Sequence, residues 1–256
     1  MLYFRVSNKA FYKKDVKMGE QGKNNVQRKV ELQNSDGLGA IFKVLNDDIE
    51  LVYPHTPNGD GTALYQDPAT LTQSQRRVLI RAIFAFVEGL SYTIRMSLVK
   101  SHAEHLSPSV IMALSEQQID VKESGVVGVK SIKASLMSLV RLTVTQFSSC
   151  YPDRFKVKCS GPDFEALASS VRVRDRLMHP RSAADLFIDD GEAMRAAKGF
   201  FWFHRAFVLM LEAETAVLRE LVERQNKLLN NLAEERGRLI ADLDRANALK
   251  KSDLPK

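Results

Sequence analysis

Apolar residues at helical spacing are the feature that most restricts the fold of this chain. From residue 79 to 94 they recur every three or four positions, as on the buried face of a helix: Leu79, Ile83, Phe86, Val87, Leu90 and Ile94. Thr72 and Gln75 precede this stripe with the spacing of a capping box, which predicts one helix over residues 72–101. Similar patterns predict helices over 107–119, 130–147, 161–179 and from about 190 almost to the end. The sequence therefore predicts a mainly α protein.

The two ends of the chain differ from this helical middle. Residues 1–68 contain strand-like pieces, AIFKVL at 40–45 and DIELVY at 48–53, broken by Gly, Asn and Pro clusters. We expect a small β or mixed N-terminal unit there, followed by a helical bundle over residues 70–218. At residues 219–256 leucines lie near heptad spacing, but Gln225, Glu235 and Asp242 fall on the same seam. We expect this segment to be an amphipathic C-terminal helix that packs on its own domain or on a partner.

Net charge and hydropathy indicate which partners and which cellular location to expect. The formal net charge of +6 over 256 residues is a mild basic excess, which allows a polyanionic partner without requiring one. The first residues, MLYFRVSNKAFYKKD, lack the order of a secretory signal. The apolar stretch FFWFHRAFVLML at 200–211 is too short and too polar to span a bilayer. We therefore expect a cytoplasmic protein with no membrane partner.

The helix predicted over 161–179 ends in VRVRDRLMHP, a segment rich in ionisable groups. On a helical wheel, one apolar face has Asp175 near its centre and Arg174 and His179 on its flanks; its other members are Phe164, Leu167, Ala168, Val171 and Met178. A buried charge is costly unless it is paired or functional. Asp175 and His179 lie one turn apart, so the carboxylate can touch and orient the imidazole. The alternative is that the last turn re-emerges into solvent, where the helix dipole also favours a histidine.

Arg174 and His179 also have the spacing Arg-x(4–6)-His, which Arg95 and His102 match as well. Only the pair at 174 and 179 has a polar residue directly after the arginine, apolar residues before the histidine and a helix-ending proline after it. In these features VRDRLMHP resembles the signature of the HEPN superfamily (higher eukaryotes and prokaryotes nucleotide-binding domains). The order of a long first helix, intervening helices, a motif helix and an aromatic-rich final helix is also similar to that family over residues 70–218.

The resemblance implies a metal-independent RNA endonuclease that needs no cofactor. It also implies a homodimer, in which two motif helices face each other and form one composite active site. Carried over by position, Arg174 would stabilise the pentavalent phosphorane, and His179 would act as general acid or base. The products would carry 2′,3′-cyclic phosphate and 5′-OH ends. Asp175 stands where many members have Asn; it joins the catalytic set because it can orient His179, although it also brings negative charge toward the phosphate.

Other residues are candidates for supporting roles. Arg172, Arg176 and Arg181 give the motif a basic patch that suits RNA phosphates, although a solvated face has the same pattern. In the HEPN family an acid on the first helix often lies near the composite site. This makes Glu88 a supporting candidate, together with Tyr92 one turn later. For both residues an ordinary structural role is the alternative.

A metal site is not predicted. His102 and His105 have helix-compatible spacing, but no carboxylate clearly accompanies them. The predicted function is RNA cleavage in a toxin–antitoxin or antiviral defence setting, with an antitoxin or another regulatory protein as a further partner. The alternatives are a catalytically inactive HEPN-like module for dimerisation or RNA binding, and a helical partner-binding protein in which the motif is accidental.

Overall fold

The computed structural model describes residues 38–57 and 63–252, and within these ranges the chain is mainly helical, as predicted. The helices are α1 (Leu38–Val52), α2 (Gln73–His102), α3 (Pro108–Leu114), α4 (Leu136–Cys150), α5 (Pro162–Met178) and α6 (Asp190–Ser252). Two antiparallel hairpins pair β1 (His55–Pro57) with β2 (Ala63–Tyr65) and β3 (Gln117–Val121) with β4 (Val127–Ser131). The chain divides into two compact units between Val208 and Leu209.

α2 is the central helix of the first unit, and α1, α4 and α5 all contact it. It begins with the predicted capping box, in which the backbone N–H of Gln75 donates to Thr72 Oγ1 (3.4 Å) and that of Thr72 donates to Gln75 Oε1 (3.0 Å). The predicted apolar stripe is buried along its whole length. The capping box therefore begins α2 where the sequence predicts, and the apolar residues at helical spacing form its buried face.

The segment Gln73–His105 is also long and apolar enough to cross a membrane, by length and composition alone. Half of its most apolar window is buried inside the protein, as expected for the core helix of a globular bundle. The expectation that no membrane is a partner stays a prediction.

The region expected to be β or mixed is largely helical where it is described. The strand-like pieces at 40–45 and 48–53 form a single helix, α1, so their assignment to strands was wrong; the β1–β2 hairpin supplies the β part. Residues 1–37, the larger share of the expected N-terminal unit, lie outside the described residues. The helical spacing of the apolar residues in α1 spans both pieces, and a window of six residues is too short to reveal it: Phe42, Leu45 and Ile49.

α1 belongs to the core of the first unit because it packs along α2. The Phe42 ring stacks on Phe207, with ring centroids 5.1 Å apart, and meets Phe86 edge-on at 5.7 Å. Gly89 of α2 permits the close approach, since a Cβ there would lie 3.0 Å from Leu45 Cδ1. Residues 38–56 thus share their core with the helices that follow.

The helix predicted over 107–119 ends at Leu114, and the β3–β4 hairpin follows it. Gly125, with φ of 76°, provides the left-handed conformation in the hairpin turn. Side chains alternate between the two faces of the hairpin, and the face that is exposed to solvent is apolar. Two cross-strand pairs make up this exposed face, Ile119 with Val129 and Val121 with Val127, and each of the four is between 61% and 67% exposed.

α5 and α6 approach each other backbone to backbone. A Cβ at Gly199 of α6 would lie 2.5 Å from Leu167 Cα and 2.6 Å from Leu167 N. Nearby, Phe164 of α5 meets Trp202 of α6 edge-on, with ring centroids 4.8 Å apart. Since no side chain fits between the two helices at this point, Gly199 sets both their separation and the face that α5 turns inward.

We expect Gly199→Ala to destabilise the protein by about 2–3 kcal/mol, because its methyl group would overlap rigid backbone atoms. Gly237→Ala is the matched control: Gly237 is also a helical glycine, but a Cβ there would have nothing within 4 Å, so helix propensity alone should raise stability by about 0.5–1 kcal/mol or leave it unchanged. Urea unfolding curves of both variants test this. Equal stability of the two would contradict the close-approach account.

An aromatic cluster in the first unit encloses a histidine. His204 is 6% exposed, its Nδ1 is buried without a hydrogen-bond partner, and its ring lies against the rings of Phe42, Phe86 and Phe200 at centroid distances of 5.5–6.0 Å. Burial lowers the pKa of His204 from its usual 6.5 to about 4. The folded protein therefore holds this imidazole neutral.

The pKa of His204 predicts a loss of stability in mild acid. The unfolded chain takes up a proton at His204 near pH 6.5 and the folded chain only near pH 4. The free energy of unfolding is therefore highest above pH 6.5 and decreases as the pH falls from 6.5 to 4. The full loss is on the order of 3 kcal/mol. His204→Phe should remove this part of the pH dependence. Unfolding measured at pH 7, 5.5 and 4.5 checks it, and identical pH slopes for the two proteins would refute it.

Candidate functional site

α5 presents the end of the motif to solvent. Gly161, with φ of 93°, precedes the helix and Pro162 begins it, as predicted. The helix ends at Met178, one residue earlier than expected, and the backbone N–H of His179 donates to the carbonyl of Asp175 (3.0 Å). His179 is thus the capping residue at the C-terminal end, where Pro180 prevents continuation.

The helical wheel predicted the buried face of α5 only in part: Phe164 and Leu167 are buried as expected, whereas the end of the predicted face is exposed. The buried residues follow a line rotated from the predicted one: Phe164, Ala166, Leu167, Ser170, Val173 and Leu177. Met178 is 53% exposed and the Asp175 side chain is 57% exposed, so no charge interrupts the buried stripe. α5 packs between α2 and the close contact at Gly199, and these neighbours select a face that apolar content alone did not identify.

Arg174 lies at the centre of a small charge network. One guanidinium nitrogen, Nη2, donates to Glu88 Oε1 on α2, and Nη1 donates to the neighbouring Asp175 Oδ1 at 2.9 Å. The Arg174 side chain is only 29% exposed. The structure therefore brings together the predicted catalytic arginine and the predicted supporting acid, which lie on different helices and far apart in the sequence.

This network borders a cleft of about 340 Å³ in the first unit. Two arginine–glutamate pairs, Arg174 with Glu88 and Arg95 with Glu116, contribute to its lining, together with the half-exposed ring of Tyr92. The remaining lining residues are Ala134, Leu136 and Leu139. Tyr92, the second supporting candidate, thus shares a surface with Arg174, but nothing places it against the His179 imidazole.

Arg95 and Glu116 are cleft residues that the sequence analysis did not assign. Arg95 is 2% exposed, its Nε donates to the carbonyl of Leu114 (3.1 Å), and desolvation lowers its pKa against the opposing effect of Glu116. Glu116 has φ of 54°, the only positive value at a non-glycine position in the described ranges. A charged residue directly after Ile94 in an apolar stripe was the available signal for Arg95. No local pattern identified its acidic partner.

The predicted contact between Asp175 and His179 is absent. The Asp175 carboxylate accepts from Arg174 instead. Within the described part of the chain, the exposed His179 imidazole has neither a hydrogen-bond nor an ion-pair partner. It is therefore open to a group from another molecule rather than oriented by its own helix.

The three arginines of the predicted basic patch differ in their surroundings. Arg176 is bound within the protein: its Nη1 and Nη2 donate to the two Glu192 oxygens (3.0 and 2.8 Å), and it also donates to the carbonyls of Asp185 (3.0 Å) and Phe187 (2.8 Å). These contacts tie α5 to the connection that follows it and give Arg176 a structural role, and its contact with RNA stays a prediction. In the described structure the exposed guanidinium groups of Arg172 and Arg181 have no such partners.

Among the described residues, no group of three or more His, Cys, Asp and Glu side chains is arranged to hold a metal ion. The Nε2 atom of His102 lies 2.9 Å from the Tyr151 hydroxyl instead. The end of α5 offers a guanidinium for anionic oxygens and an imidazole for proton transfer. No protein-family model, curated protein or solved structure matches the chain.

Two arginines of α5 should differ in how much they contribute to the stability of the fold. We expect Arg176→Ala to cost about 2–3 kcal/mol, because it leaves the mostly buried Glu192 carboxylate and two carbonyls without their donor. Arg172→Ala, on the same helix and equally basic, should change stability by less than about 0.5 kcal/mol. Thermal unfolding of both variants measures the difference, and a neutral Arg176→Ala would argue that the connection is held by other contacts.

Proposed function

We propose that this protein is a metal-independent RNA endonuclease of the HEPN type that acts in the cytoplasm. The observation that carries the proposal is the Arg174–Glu88 contact, because the resemblance predicts an acid near the composite site on the family's long first helix, which corresponds to α2 of this chain. The open His179 side chain one turn later on the same helix end supports it. An exposed imidazole and a partly exposed guanidinium are the two groups that cleavage through a ribose 2′-OH requires.

In this mechanism Arg174 binds the scissile phosphate and its guanidinium neutralises charge on the pentavalent phosphorane. An imidazole removes the proton from the 2′-OH, the 2′ oxygen forms a bond to phosphorus, and the bond from phosphorus to the 5′ oxygen breaks as that oxygen gains a proton. The products are a 2′,3′-cyclic phosphate and a 5′-OH, so no water and no redox step enters the reaction.

The reaction needs one group to remove a proton and another to supply one. Each chain has a single histidine at this helix end, because the other described histidines lie elsewhere in the fold. A homodimer in which two α5 ends face each other supplies both imidazoles, His179 and the partner copy's equivalent. Arg172 and Arg181, whose guanidinium groups have no partner among the described residues, would then contact the RNA backbone on either side.

Asp175 and Glu88 restrain the proposed reaction. Both carboxylates bind Arg174 and offset its charge, so they compete with a phosphate for the guanidinium, and the exposed Asp175 is the easier to displace. Such competition suits an enzyme that must be held in check, as in a toxin–antitoxin pair or an antiviral defence system with an antitoxin or another regulatory protein as partner. Glu88 acts here as a positioning residue, since it holds Arg174 from a different helix.

A second function, partner binding without catalysis, is favoured by one observation. The exposed apolar face of the β3–β4 hairpin, defined by Ile119, Val121, Val127 and Val129, has the character of an interaction surface. A HEPN-like module that binds RNA or a protein partner without cutting would use such a face and would not need Arg174 or His179.

RNA cleavage in excess EDTA tests the proposal. We expect the wild-type chain to cut mixed-sequence single-stranded RNA and to leave cyclic-phosphate ends, and we expect Arg174→Ala and His179→Ala each to reduce cleavage by about 100-fold or more. Asp175→Asn should cut at least as fast as the wild type, because it removes a charge that competes with the phosphate.

Matched variants control for general effects of losing an arginine or a histidine. Arg205→Ala and His105→Ala replace exposed residues of the same types elsewhere in the chain and should leave cleavage unchanged. Equal cleavage by all five variants would exclude Arg174 and His179 as the active site. A wild-type chain that binds RNA but never cuts it would favour the non-catalytic module.

A further inference from the structure

The second compact unit exposes an apolar stripe along α6. Every described side chain from Leu218 to Ala241 is exposed. Within this span the seam positions alternate between spacings of three and four residues without a break, which is the repeat of a coiled coil: Leu218, Leu221, Gln225, Leu228, Leu232, Glu235 and Leu239. The five leucines are between 48% and 66% exposed. A helix of this kind has a hydrophobic seam that one chain alone leaves in water.

The polar residues Gln225 and Glu235 indicate which orientation of a second helix fits the seam. In a parallel pair of identical helices each residue faces its own copy, so Glu235 would face the Glu235 of the partner copy and two carboxylates would share one core layer. In an antiparallel pair centred beside Asn230, each residue faces the one equally far on the other side of that centre. Gln225 then faces Glu235, whose carboxylate can accept hydrogen bonds from the amide.

The antiparallel arrangement also matches the apolar positions. Leu221 faces Leu239 of the other copy, and Leu228 faces Leu232. Leu229, which widens the apolar stripe at the centre, lies beside its own copy at the two-fold axis. Arg224, next to Gln225 on the flank of the seam, comes within reach of the opposing Glu235. Every core layer between 221 and 239 is therefore either leucine on leucine or glutamine on glutamate.

We propose that residues 218–240 of α6 bind a second copy of this chain as an antiparallel two-helix coiled coil. The surface lies within the second unit and involves no residue of the proposed ribonuclease site, so the inference is independent of the proposed function. Because the seam has few layers, the association is reversible and depends on protein concentration. The contact gives the protein a means of self-association separate from the motif helix.

Sedimentation velocity of the full chain over about a hundredfold concentration range tests the association. We expect Leu228→Lys/Leu232→Lys to weaken self-association at least about tenfold, since it places four charges in the two central layers of the pair. Asn226→Lys/Asn230→Lys adds the same two charges per chain at the same four-residue spacing but away from the seam, and should associate as the wild type does. The replaced side chains are exposed in the single chain, and circular dichroism confirms that each variant is folded.

Two further variants test the direction. Gln225→Lys should tighten the antiparallel pair about tenfold, because lysine then faces Glu235 twice, whereas a parallel pair would be weakened by lysine facing lysine. Cys150 and Cys159 are free thiols, so with both replaced by serine, Leu221→Cys and Leu239→Cys chains should form a disulfide when mixed and neither should form one alone.

Several results would overturn the proposal. These are a wild type that stays monomeric throughout, an association that Leu228→Lys/Leu232→Lys does not weaken, and disulfides formed by each cysteine variant alone. Arg174→Ala and His179→Ala provide the link to the ribonuclease: both should lose cleavage and keep the seam association. Cleavage by the seam variants does not test the coiled coil, because the seam is judged from self-association and the active site from RNA cleavage.

Discussion

The backbone contact between Gly199 and Leu167 determines what the motif helix can present. With no side chain between α5 and α6 at that point, the rotation of α5 is set by the approach of two main chains and by the packing of Phe164 on Trp202. This rotation turns Val173 and Leu177 inward and leaves Asp175, Met178 and His179 outside. The arginines of α2 then hold α5 and the connection that follows it: Arg81 donates to the carbonyl of Leu177 (3.3 Å), Arg77 to that of Leu186 (3.3 Å) and Arg76 to that of Ile188 (2.9 Å). The solvent-facing end of α5 is therefore a consequence of contacts made on its opposite side.

Charge pairing distinguishes the two kinds of arginine in this region. Arg176 and Arg76 have their donors committed to carbonyls and carboxylates, and they fasten segments of backbone to one another. Arg174 is different, because its partners are two side chains, one of them an exposed carboxylate that solvent or a phosphate can replace. A guanidinium held in place by Glu88 and only loosely covered by Asp175 is oriented before a ligand arrives, which lowers the cost of ordering it on binding. The proposed activity depends on this combination of orientation and access.

Local signals in the sequence predicted the helical elements, and nonlocal contacts account for the errors. Thr72 with Gln75 and Pro162 after Gly161 identified helix starts, because capping chemistry is contained within a few residues. The strand assignment at 40–53 failed because neither six-residue piece reveals the helical spacing of the α1 residues, of which Phe42 packs on the distant Phe86 and Phe207. The wheel of α5 was rotated from the buried face because the close contact at Gly199 selects that face. Of the site, Arg174, His179 and Glu88 could be proposed from motif and helix order, whereas the Arg95–Glu116 pair depends on a left-handed backbone at Glu116 that no pattern revealed.

The most direct test of the central claim concerns the nucleophile. A single-stranded RNA and a copy of the same sequence with every 2′-OH methylated would be incubated with the wild-type chain in excess EDTA, and the product ends determined. The account predicts that the unmodified RNA is cut to 2′,3′-cyclic phosphate and 5′-OH ends and that the methylated copy stays intact, because the 2′-OH is the nucleophile of the proposed reaction. Cleavage of the methylated RNA, or products with 5′-phosphate ends, would contradict it.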